Sequence, residues 1–278
     1  LLSTRIITRD SPNYPLTAQH LFRTNLEVDA HNTQIFQLST ASKYSIKAVD
    51  SVVGAVSSDM VQKVLALIPT DNRKTVQLPE VLQVVLQGRY ELSANISVAD
   101  GLANGTSGVV KRVDLAGTGS RASGIIWIDF VDNDVGMQMR TEHQSWYKPG
   151  VDHRWTPIHP ISRQFQVGRS HNSQVMRKQF PIRHCAAKSI HRSQGDTLDE
   201  VVVDFSSSRK QAHIHYVGLS RVRTLDGLHI LSLNENKLHV NTDVRQEMAE
   251  LRTKRQLVLS LPFVYSLQSH LIKVAFLN

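Results

Sequence analysis

The chain has 278 residues, of which 41% are hydrophobic and 20% are charged. This composition is typical of a globular protein and excludes collagen-like, disordered and coiled-coil structures for the chain as a whole. Lysine and arginine number 32 against 24 aspartates and glutamates, and the resulting net charge of +8 favours a polyanionic partner, although the same surplus would serve solubility.

The single cysteine, Cys185, excludes an intrachain disulfide and a zinc site built from several cysteines, and it fits a reducing compartment. No apolar run approaches the roughly 18 residues needed to span a bilayer, and residues 1–10 lack the apolar core of a signal peptide. We therefore expect no membrane partner. Because the sequence does not begin with methionine and stops within an apolar pattern, we expect a fragment of a longer chain.

The first predicted unit is a short apolar strand that runs into a helix, over residues 20–32. Thr24 or Asn25 is the expected N-cap, since Glu27 and Asp29 then lie in the first turn, where carboxylates interact favourably with the helix dipole. The pattern therefore indicates a β-to-α junction.

The following segments become rich in strands. Residues 44–53 predict one strand, and residues 58–68 have apolar side chains at helical spacing and predict a helix that ends before Pro69. Short apolar stretches separated by glycine-rich turns then indicate a small β-barrel or sandwich, with strands at residues 81–86, 109–113 and 125–130. Residues 132–160 are polar and contain proline, so we predict loops with at most one pair of strands.

An α/β pattern returns after residue 180. It predicts a helix at residues 212–219 and three strands, at residues 185–190, 201–205 and 228–233. A final helix follows a cap at Asn241 or Thr242. The β-rich stretch is therefore predicted to be an insertion within an α/β domain.

One loop is dense in hydrogen-bonding side chains. It follows a predicted strand and contains Ser189, His191, Arg192, Ser193, Gln194 and Gly195. The side chains offer donors to phosphate oxygens, and glycine lets the backbone approach a ligand closely. The pattern also fits a polar turn whose side chains cap neighbouring backbone groups.

A second polar stretch, residues 215–223, contains Arg221, which follows Gln194 by 27 positions. This spacing leaves room for one strand and a return helix, so we expect the two stretches on neighbouring strands at one rim of the sheet, where open α/β sheets bind ligands. Arg221 would then reach a nucleotide. The alternative is a solvated arginine at a helix end.

Together these stretches resemble the fifth and sixth motifs of superfamily 1 DNA helicases of the RecD-like, PIF (petite integration frequency) type. The first has the serine, the histidine and the Ser-Gln-Gly string of residues 189–195, and the second has the Tyr-Val-Gly-Leu-Ser-Arg of residues 216–221. Residues 21–32 resemble the fourth motif, and residues 88–108 resemble the glycine-rich lead into an inserted barrel. The resemblance covers about residues 20–235.

The resemblance implies an α/β fold: a RecA-like (P-loop NTPase-type) second motor domain with an inserted small β-barrel of the Src-homology-three-like kind. On this basis we expect the motor domain at residues 1–90 and 180–235, the barrel at 91–179, and a C-terminal helix and tail at 236–278.

The resemblance also implies roles for single residues. Arg221 would be the catalytic arginine finger that faces the γ-phosphate of ATP bound on the first motor domain. The remaining ATP-binding residues would be Gln194, Gly195 and Arg23, and the residues that bind DNA would be Ser189, His191, Arg192, Ser193 and Asn25.

Three tryptophans lie in the predicted insertion and are candidates for stacking on bases. Trp127 is in the middle of a predicted strand, so we expect it in the core, whereas Trp146 and Trp155 lie in polar surroundings and are the stacking candidates. For metal binding we expect no site. His213, His215 and Cys185 have no fourth ligand at a recognisable spacing, and the acidic residues 199–204 coincide with a structural strand.

The sequence departs from the family pattern in two ways. Arg192 stands where the family usually has lysine and keeps the positive charge, whereas Lys188 stands where an uncharged residue is common and adds one. More important, the sequence has no G-x-x-x-x-G-K-[ST] phosphate loop. We therefore expect ATP and Mg²⁺ to be bound mainly by an N-terminal motor domain outside this sequence, and this chain alone to be inactive.

These observations predict the C-terminal motor half of an ATP-dependent DNA helicase. Its expected partners are ATP and single-stranded and forked DNA, and we expect a monomer that acts in the nucleus or in mitochondria, in DNA repair, recombination or telomere maintenance. The alternative is a non-catalytic or degenerate, transposon-derived module that binds nucleic acid. A third reading is an α/β enzyme that uses a nucleoside triphosphate on a small molecule and does not bind single strands.

Overall fold

The computed structural model describes residues 2–54, 57–117, 120–168, 173–206, 214–233 and 242–255. The chain divides into two compact units. Unit 1 consists of Leu1–Gln34 and Ala186–Asn278, and unit 2 consists of Ile35–Cys185. Unit 2 is therefore an insertion, in sequence, between the two segments of unit 1.

The regular elements are numbered along the chain. The strands are β1 (Gln19–Phe22), β2 (Lys43–Lys47), β3 (Val49–Val52), β4 (Val81–Val85), β5 (Arg89–Leu92), β6 (Ser107–Leu115), β7 (Gly124–Phe130), β8 (Thr156–Ile158), β9 (Ile161–Val167), β10 (Ser173–Gln179), β11 (Ile182–His184), β12 (Ala187–Ser189), β13 (Val201–Asp204) and β14 (Leu228–Ser232). The α-helices are α1 (Asn25–Leu38), α2 (Ser58–Leu65), α3 (Met137–Glu142), α4 (Ile214–Leu219) and α5 (Thr242–Arg255).

Unit 1 contains a four-stranded sheet in the order β12-β1-β13-β14. Every neighbouring pair of strands is parallel. All residues of β1 and the first three of β13 are buried, as expected for parallel strands that are covered on both faces. The strand predicted at residues 185–190 is shorter than expected, because the chain turns into a 3-10 helix, Ile190–Ser193, directly after Ser189.

The predicted β-to-α junction is confirmed, and Thr24 is the cap. The Thr24 hydroxyl oxygen accepts a hydrogen bond from the Glu27 N–H (3.3 Å), and a Glu27 carboxylate oxygen accepts one from the Thr24 N–H (2.9 Å). This reciprocal pair is a capping box, which satisfies two N–H groups at the start of α1.

Two further helices of unit 1 were predicted. The described part of the helix expected at residues 212–219 is α4, and Gly218 lets it lie close to the sheet, since a Cβ there would be 3.1 Å from side-chain carbons of Val203 and Phe205. The last helix, α5, begins at Thr242, while the other candidate cap, Asn241, lies outside the described residues.

Unit 2 is built from antiparallel strands, as the glycine-rich texture predicted. Its sheets have the orders β3-β10-β9, β11-β5-β6-β7-β8 and β2-β4. Every neighbouring pair in these sheets is antiparallel. A core of buried apolar side chains that includes Ile46, Tyr90, Val110, Ile126 and Phe180 joins the strands.

The division of the chain differs from the predicted bounds. Residues 43–85 were assigned to the motor domain, but β2 pairs with β4 and β3 pairs with β10, so these strands belong to unit 2. The strand predicted at residues 44–53 is in fact two strands in different sheets. The sequence pattern did not reveal this, because pairing partners far along the chain decide which sheet a strand joins.

A short helix, α3, occurs in the segment predicted to be loops. Its N-terminus is capped from a distance: the Asp100 carboxylate accepts hydrogen bonds from the N–H groups of Gln138 (2.8 Å) and Met139 (3.0 Å). The local sequence has no capping residue, since Gly136 precedes the helix without a side-chain hydrogen bond. None of the described helices is both long enough and apolar enough to cross a bilayer.

Candidate functional site

The two polar stretches singled out in the sequence meet in unit 1. After Ser189 at the carboxyl end of β12, the chain passes through the 3-10 helix Ile190–Ser193 and reaches the start of β13 at Val201. We call residues 190–198 the connecting segment. Because β12 and β13 both run parallel to β1, this segment leads from the carboxyl end of one strand to the amino end of another.

The Arg221 guanidinium lies against the connecting segment. Its Nη1 donates hydrogen bonds to the main-chain oxygens of Ser193 (3.4 Å) and Asp196 (3.3 Å). Its Nε donates to the Val217 oxygen (2.8 Å), and its Nη2 donates to the Ser220 hydroxyl oxygen (2.7 Å). The guanidinium thus joins the end of α4 to the loop that carries Gln194.

Main-chain hydrogen bonds fix the same contact. The Leu198 N–H donates to the Arg221 oxygen (2.8 Å), and the Arg223 N–H donates to the Leu198 oxygen (2.9 Å). Leu198 and Val222 form a parallel bridge directly before β13 and β14. The two stretches therefore meet, as predicted, but toward the amino ends of β13 and β14. This is not the carboxyl-end edge at which open sheets bind ligands and at which Ser189 ends β12.

Several side chains of the connecting segment are internal. Ser193 is fully buried and donates a hydrogen bond from its hydroxyl to the Ile190 oxygen (2.7 Å). Ser189 is buried at the end of β12, and the buried Lys188 ammonium pairs with the Asp196 carboxylate (3.1 Å). The burial of Ser189 and Ser193 does not fit the predicted contacts with DNA, because little of either side chain is accessible.

Other predicted site residues lie on the surface. His191, Arg192, Gln194 and Gly195 are exposed. Gly195 has a φ of +95°, a left-handed conformation that favours glycine, and the space where a Cβ would stand is open. The requirement for glycine here is therefore conformational.

The fourth-motif candidates begin at the carboxyl end of β1. Phe22, the last residue of β1, is paired in register with Ser189, so the half-buried Arg23 follows the strand beside that position. Asn25 is exposed and begins α1. Although Arg192 is exposed as a residue, partial desolvation of its guanidinium lowers its pKa, while the carboxylates of Asp196 and Asp29 oppose this shift.

The three tryptophan candidates belong to unit 2. Trp127 is in the core, as predicted, and its Nε1 donates to the Asp114 carboxylate (2.8 Å). Trp146 is half-buried and stacks on His143, with ring centroids 3.7 Å apart and planes 5° apart. Trp155 is also half-buried, and its main-chain oxygen accepts a hydrogen bond from the Tyr147 hydroxyl (2.6 Å).

The acidic residues that border β13 form ion pairs. Asp199 pairs with Arg223 (3.1 Å), Glu200 lies 3.2 Å from His229, and Asp204 pairs with Arg9 (3.5 Å). Within the part of the chain that the structure describes, no group of three or more histidine, cysteine, aspartate or glutamate side chains is arranged to hold a metal ion. His213 lies outside that part.

Sequence reasoning missed Ser220 and the two loop carbonyls that bind Arg221. A main-chain oxygen has no residue-type signature, so no motif could have indicated the contacts at Ser193 and Asp196. Ser220 stood within the sixth-motif string beside Arg221, and that adjacency at a helix end was the available signal.

The parallel sheet of unit 1 and the loops beside it define an α/β protein of the RecA-like class. Comparison with solved structures leads to one kind of protein within that class. The crystal structure of Pif1 helicase from Candida albicans matches 88% of this chain and 51% of its own, with a TM-score of 0.60 and 22% identity. Bacteroides Pif1 bound to ssDNA matches 91% of this chain and 49% of its own, with a TM-score of 0.56 and 16% identity.

Sequence comparison also finds helicases named PIF1. The ATP-dependent DNA helicase PIF1 of Rattus norvegicus is 31% identical over 179 residues, which are 64% of this chain and 24% of the relative. The human ATP-dependent DNA helicase PIF1 is 29% identical over 187 residues, 66% of this chain and 24% of the relative. No protein-family model matches the chain.

The homologues of this chain in sequence and in fold are thus Pif1 helicases, which belong to superfamily 1, and the resemblance read from the motifs is confirmed. The chain spans about a quarter of the length of the curated relatives that it matches, and about half of the solved Pif1 chains.

Proposed function

We propose that this chain is the C-terminal motor half of an ATP-dependent DNA helicase, which couples ATP hydrolysis to translocation on single-stranded DNA and to duplex unwinding. The contact between the Arg221 guanidinium and the connecting segment carries the proposal, since it links a phosphate-seeking group to the loop of His191 and Arg192. The named activity of the Pif1 relatives supports it.

Arg221 is proposed as the arginine finger for ATP on a separate motor domain. Arginine remains charged and grips phosphate oxygens with two N–H groups, and such a finger contributes a factor of roughly 10³ to 10⁵ in rate. The 278-residue sequence has no phosphate loop. We therefore propose that ATP and Mg²⁺ are held mainly by that other domain and that this chain alone does not hydrolyse ATP. A Bacteroides Pif1 structure in complex with ADP-AlF4 supports the nucleotide.

Two regions are proposed to bind the DNA strand. His191 and Arg192 on the connecting segment offer a cation and a hydrogen-bonding ring to phosphate groups. In unit 2, the half-buried Trp146 and Trp155 are proposed to stack on bases. Pif1 structures bound to ssDNA and at forked dsDNA support these partners.

We also propose that the five-stranded sheet β11-β5-β6-β7-β8 is the inserted element of the Src-homology-three-like kind. Its small size, antiparallel order and glycine-rich turns support this assignment.

The test is ATP turnover by the full-length protein with and without single-stranded DNA. Arg221→Ala should lower the DNA-stimulated kcat by a factor of roughly 10³ or more, while the affinity for DNA changes little. Arg223→Ala is the matched control, because Arg223 is exposed and forms a surface ion pair with Asp199. Preserved turnover in Arg221→Ala would remove the proposed role, and a full-length protein that binds DNA without any turnover would favour the non-catalytic binding module.

A further inference from the structure

The residue directly before Arg221 is buried and touches its guanidinium. We propose that Ser220 is a positioning residue, whose hydroxyl holds the Arg221 side chain in the orientation that a γ-phosphate requires. This inference rests on the proposed function, and it adds a residue for which neither the motif nor the comparisons give a role.

The geometry begins at the end of α4, where the last carbonyl groups have no helical partners. The Val217 oxygen is one of these carbonyls. It accepts a hydrogen bond from the Arg221 Nε (2.8 Å) and one from the Ser220 hydroxyl (3.2 Å). The neighbouring carbonyls of Tyr216 and Gly218 accept main-chain N–H groups instead. The Val217 oxygen at the end of α4 is thus an acceptor shared by the side chains of Ser220 and Arg221, which therefore lie side by side.

The Ser220 hydroxyl bridges this carbonyl and the guanidinium. A main-chain oxygen only accepts, so the hydroxyl proton points to Val217 and a lone pair of the same oxygen faces Arg221. The Arg221 Nη2 donates to that oxygen at 2.7 Å, the shortest of the hydrogen bonds that the guanidinium makes to the described residues. Because Ser220 is only 4% exposed, water has little access to replace the hydroxyl if it is removed.

The two edges of the guanidinium are therefore held differently. Val217 and Ser220 bind the edge formed by Nε and Nη2 at 2.7–2.8 Å. The connecting segment binds Nη1 through the oxygens of Ser193 and Asp196 at 3.3–3.4 Å, which is beyond the usual range of a strong N–H···O bond. Phosphate oxygens can replace the acceptors of these longer bonds. The hydrogen bonds to Val217 and Ser220 then remain and fix the plane of the guanidinium.

The test compares three Ser220 variants of the full-length protein in steady-state ATP turnover with saturating single-stranded DNA. Ser220→Ala removes the hydroxyl and should lower kcat about tenfold or more, as expected for the loss of one hydrogen bond to a charged group, with KM for ATP nearly unchanged. Ser220→Thr keeps the hydroxyl and should restore most of kcat. Ser220→Cys keeps the size but offers a weak acceptor, and should behave like the alanine variant.

Ser93→Ala is the matched control. Ser93 is a buried serine of unit 2 whose hydroxyl has no hydrogen-bond partner among the described residues, so the same chemical change should leave kcat unchanged. If Ser220→Ala does not fold, the comparison of the threonine and cysteine variants decides the question in the same way.

The outcomes separate the two proposals. If Arg221→Ala keeps its turnover, the arginine-finger function fails. If Arg221→Ala loses turnover but Ser220→Ala and Ser220→Cys turn over ATP like the wild type, only the positioning role fails. The positioning role would also fail if Ser220→Ala and Ser220→Thr lost the same amount of thermal stability and the same amount of kcat. In that case the hydroxyl would have no specific effect.

Discussion

The Nη1 atom of Arg221 donates a hydrogen bond to the main-chain oxygen of Asp196, 25 positions earlier in the chain. Asp196 in turn pairs through its carboxylate with the buried ammonium of Lys188, next to the end of β12. If the Arg221 guanidinium left the Asp196 carbonyl to bind a phosphate, it would release the connecting segment, which begins directly after Ser189. Under the proposed function, this relationship would couple a bound nucleotide to the exposed side chains of His191 and Arg192.

The proposed DNA contacts predict different salt responses. Arg192→Ala should weaken binding to single-stranded DNA and reduce the slope of log K against log salt by about 0.7, because one phosphate contact is lost. Trp146→Ala should weaken binding by roughly 1–3 kcal/mol, the usual range for base stacking, without a change in slope. Fluorescence anisotropy between low and physiological salt measures both. Equal slopes for the wild type and Arg192→Ala would contradict the assignment of Arg192 to a phosphate.

The capping box of α1 predicts a moderate loss of stability. Thr24→Ala removes the hydroxyl that caps the Glu27 N–H and should lower the free energy of unfolding by about 1 kcal/mol. Thr33 is an exposed residue inside the same helix, so Thr33→Ala should be neutral or slightly stabilising. Urea denaturation of the two variants provides the comparison, and equal midpoints would show that Thr24 is not the cap.

A buried ion pair predicts a larger loss in unit 2. Arg177 is 1% exposed, and its Nε and Nη2 donate to the two oxygens of Asp50 at 2.7 and 2.6 Å. Asp50→Ala should lower the free energy of unfolding by about 3–5 kcal/mol, because a buried charge loses its counter-ion. The double variant Asp50→Ala with Arg177→Met should be less destabilised than Asp50→Ala alone.

The control for this pair is Arg73→Ala, since Arg73 and Asp71 form an ion pair in unit 2 in which the arginine is 72% exposed. We expect a much smaller change for this substitution. A loss in Arg73→Ala as large as that in Asp50→Ala, measured by thermal unfolding, would contradict the importance of burial.

Two histidines, the buried His20 and the half-buried His184, predict a loss of stability in acid. Burial lowers the pKa of His20, in unit 1, and of His184, in unit 2, from 6.5 to about 4. The neutral His20 fits its partners, since Nδ1 lies 2.9 Å from the Ala18 oxygen and Nε2 lies 2.7 Å from the Tyr14 hydroxyl. Below pH 6.5 these two histidines become protonated in the unfolded chain, whereas in the folded chain they remain neutral until the pH falls to about 4. The free energy of unfolding should therefore fall as the pH drops from about 6.5 to about 4, by up to about 3 kcal/mol for each histidine.

His20→Phe removes one of these titrating groups and should flatten the pH dependence of the free energy of unfolding in this window. Phe22→Leu on the same strand is the control, because it reduces packing but adds or removes no titrating group. An unchanged slope in His20→Phe would exclude His20 as a cause of acid sensitivity.

The elements of unit 1 could be predicted because their signals are local. Thr24 and Glu27 stand three positions apart as a capping box, and the run Val201–Val203 is apolar on both faces, as a buried parallel strand must be. The strings around Gln194 and Arg221 indicated the candidate site, and the structure brings these two stretches together.

The remainder depended on long-range contacts that leave no pattern in the sequence. Helix α3 is capped by Asp100, which is 38 positions from Gln138, and Lys47 and Val49 belong to strands of different sheets although only Ala48 separates them. The Arg221 side chain is held by the main-chain carbonyl oxygen of Val217, and a residue of any type at that position could provide this oxygen. For these features the fold selects the contact, and residue type alone does not.

The central claim is that the Arg221 guanidinium leaves the connecting segment to meet a phosphate on another domain. The most direct measurement is a structure of the full-length protein with single-stranded DNA and ADP-aluminium fluoride, a mimic of the transferred phosphoryl group. We predict an Arg221 Nη atom about 3 Å from the fluoride, with Nε still on the Val217 oxygen. An Arg221 that still binds the oxygens of Ser193 and Asp196 in that complex, away from the fluoride, would contradict the account.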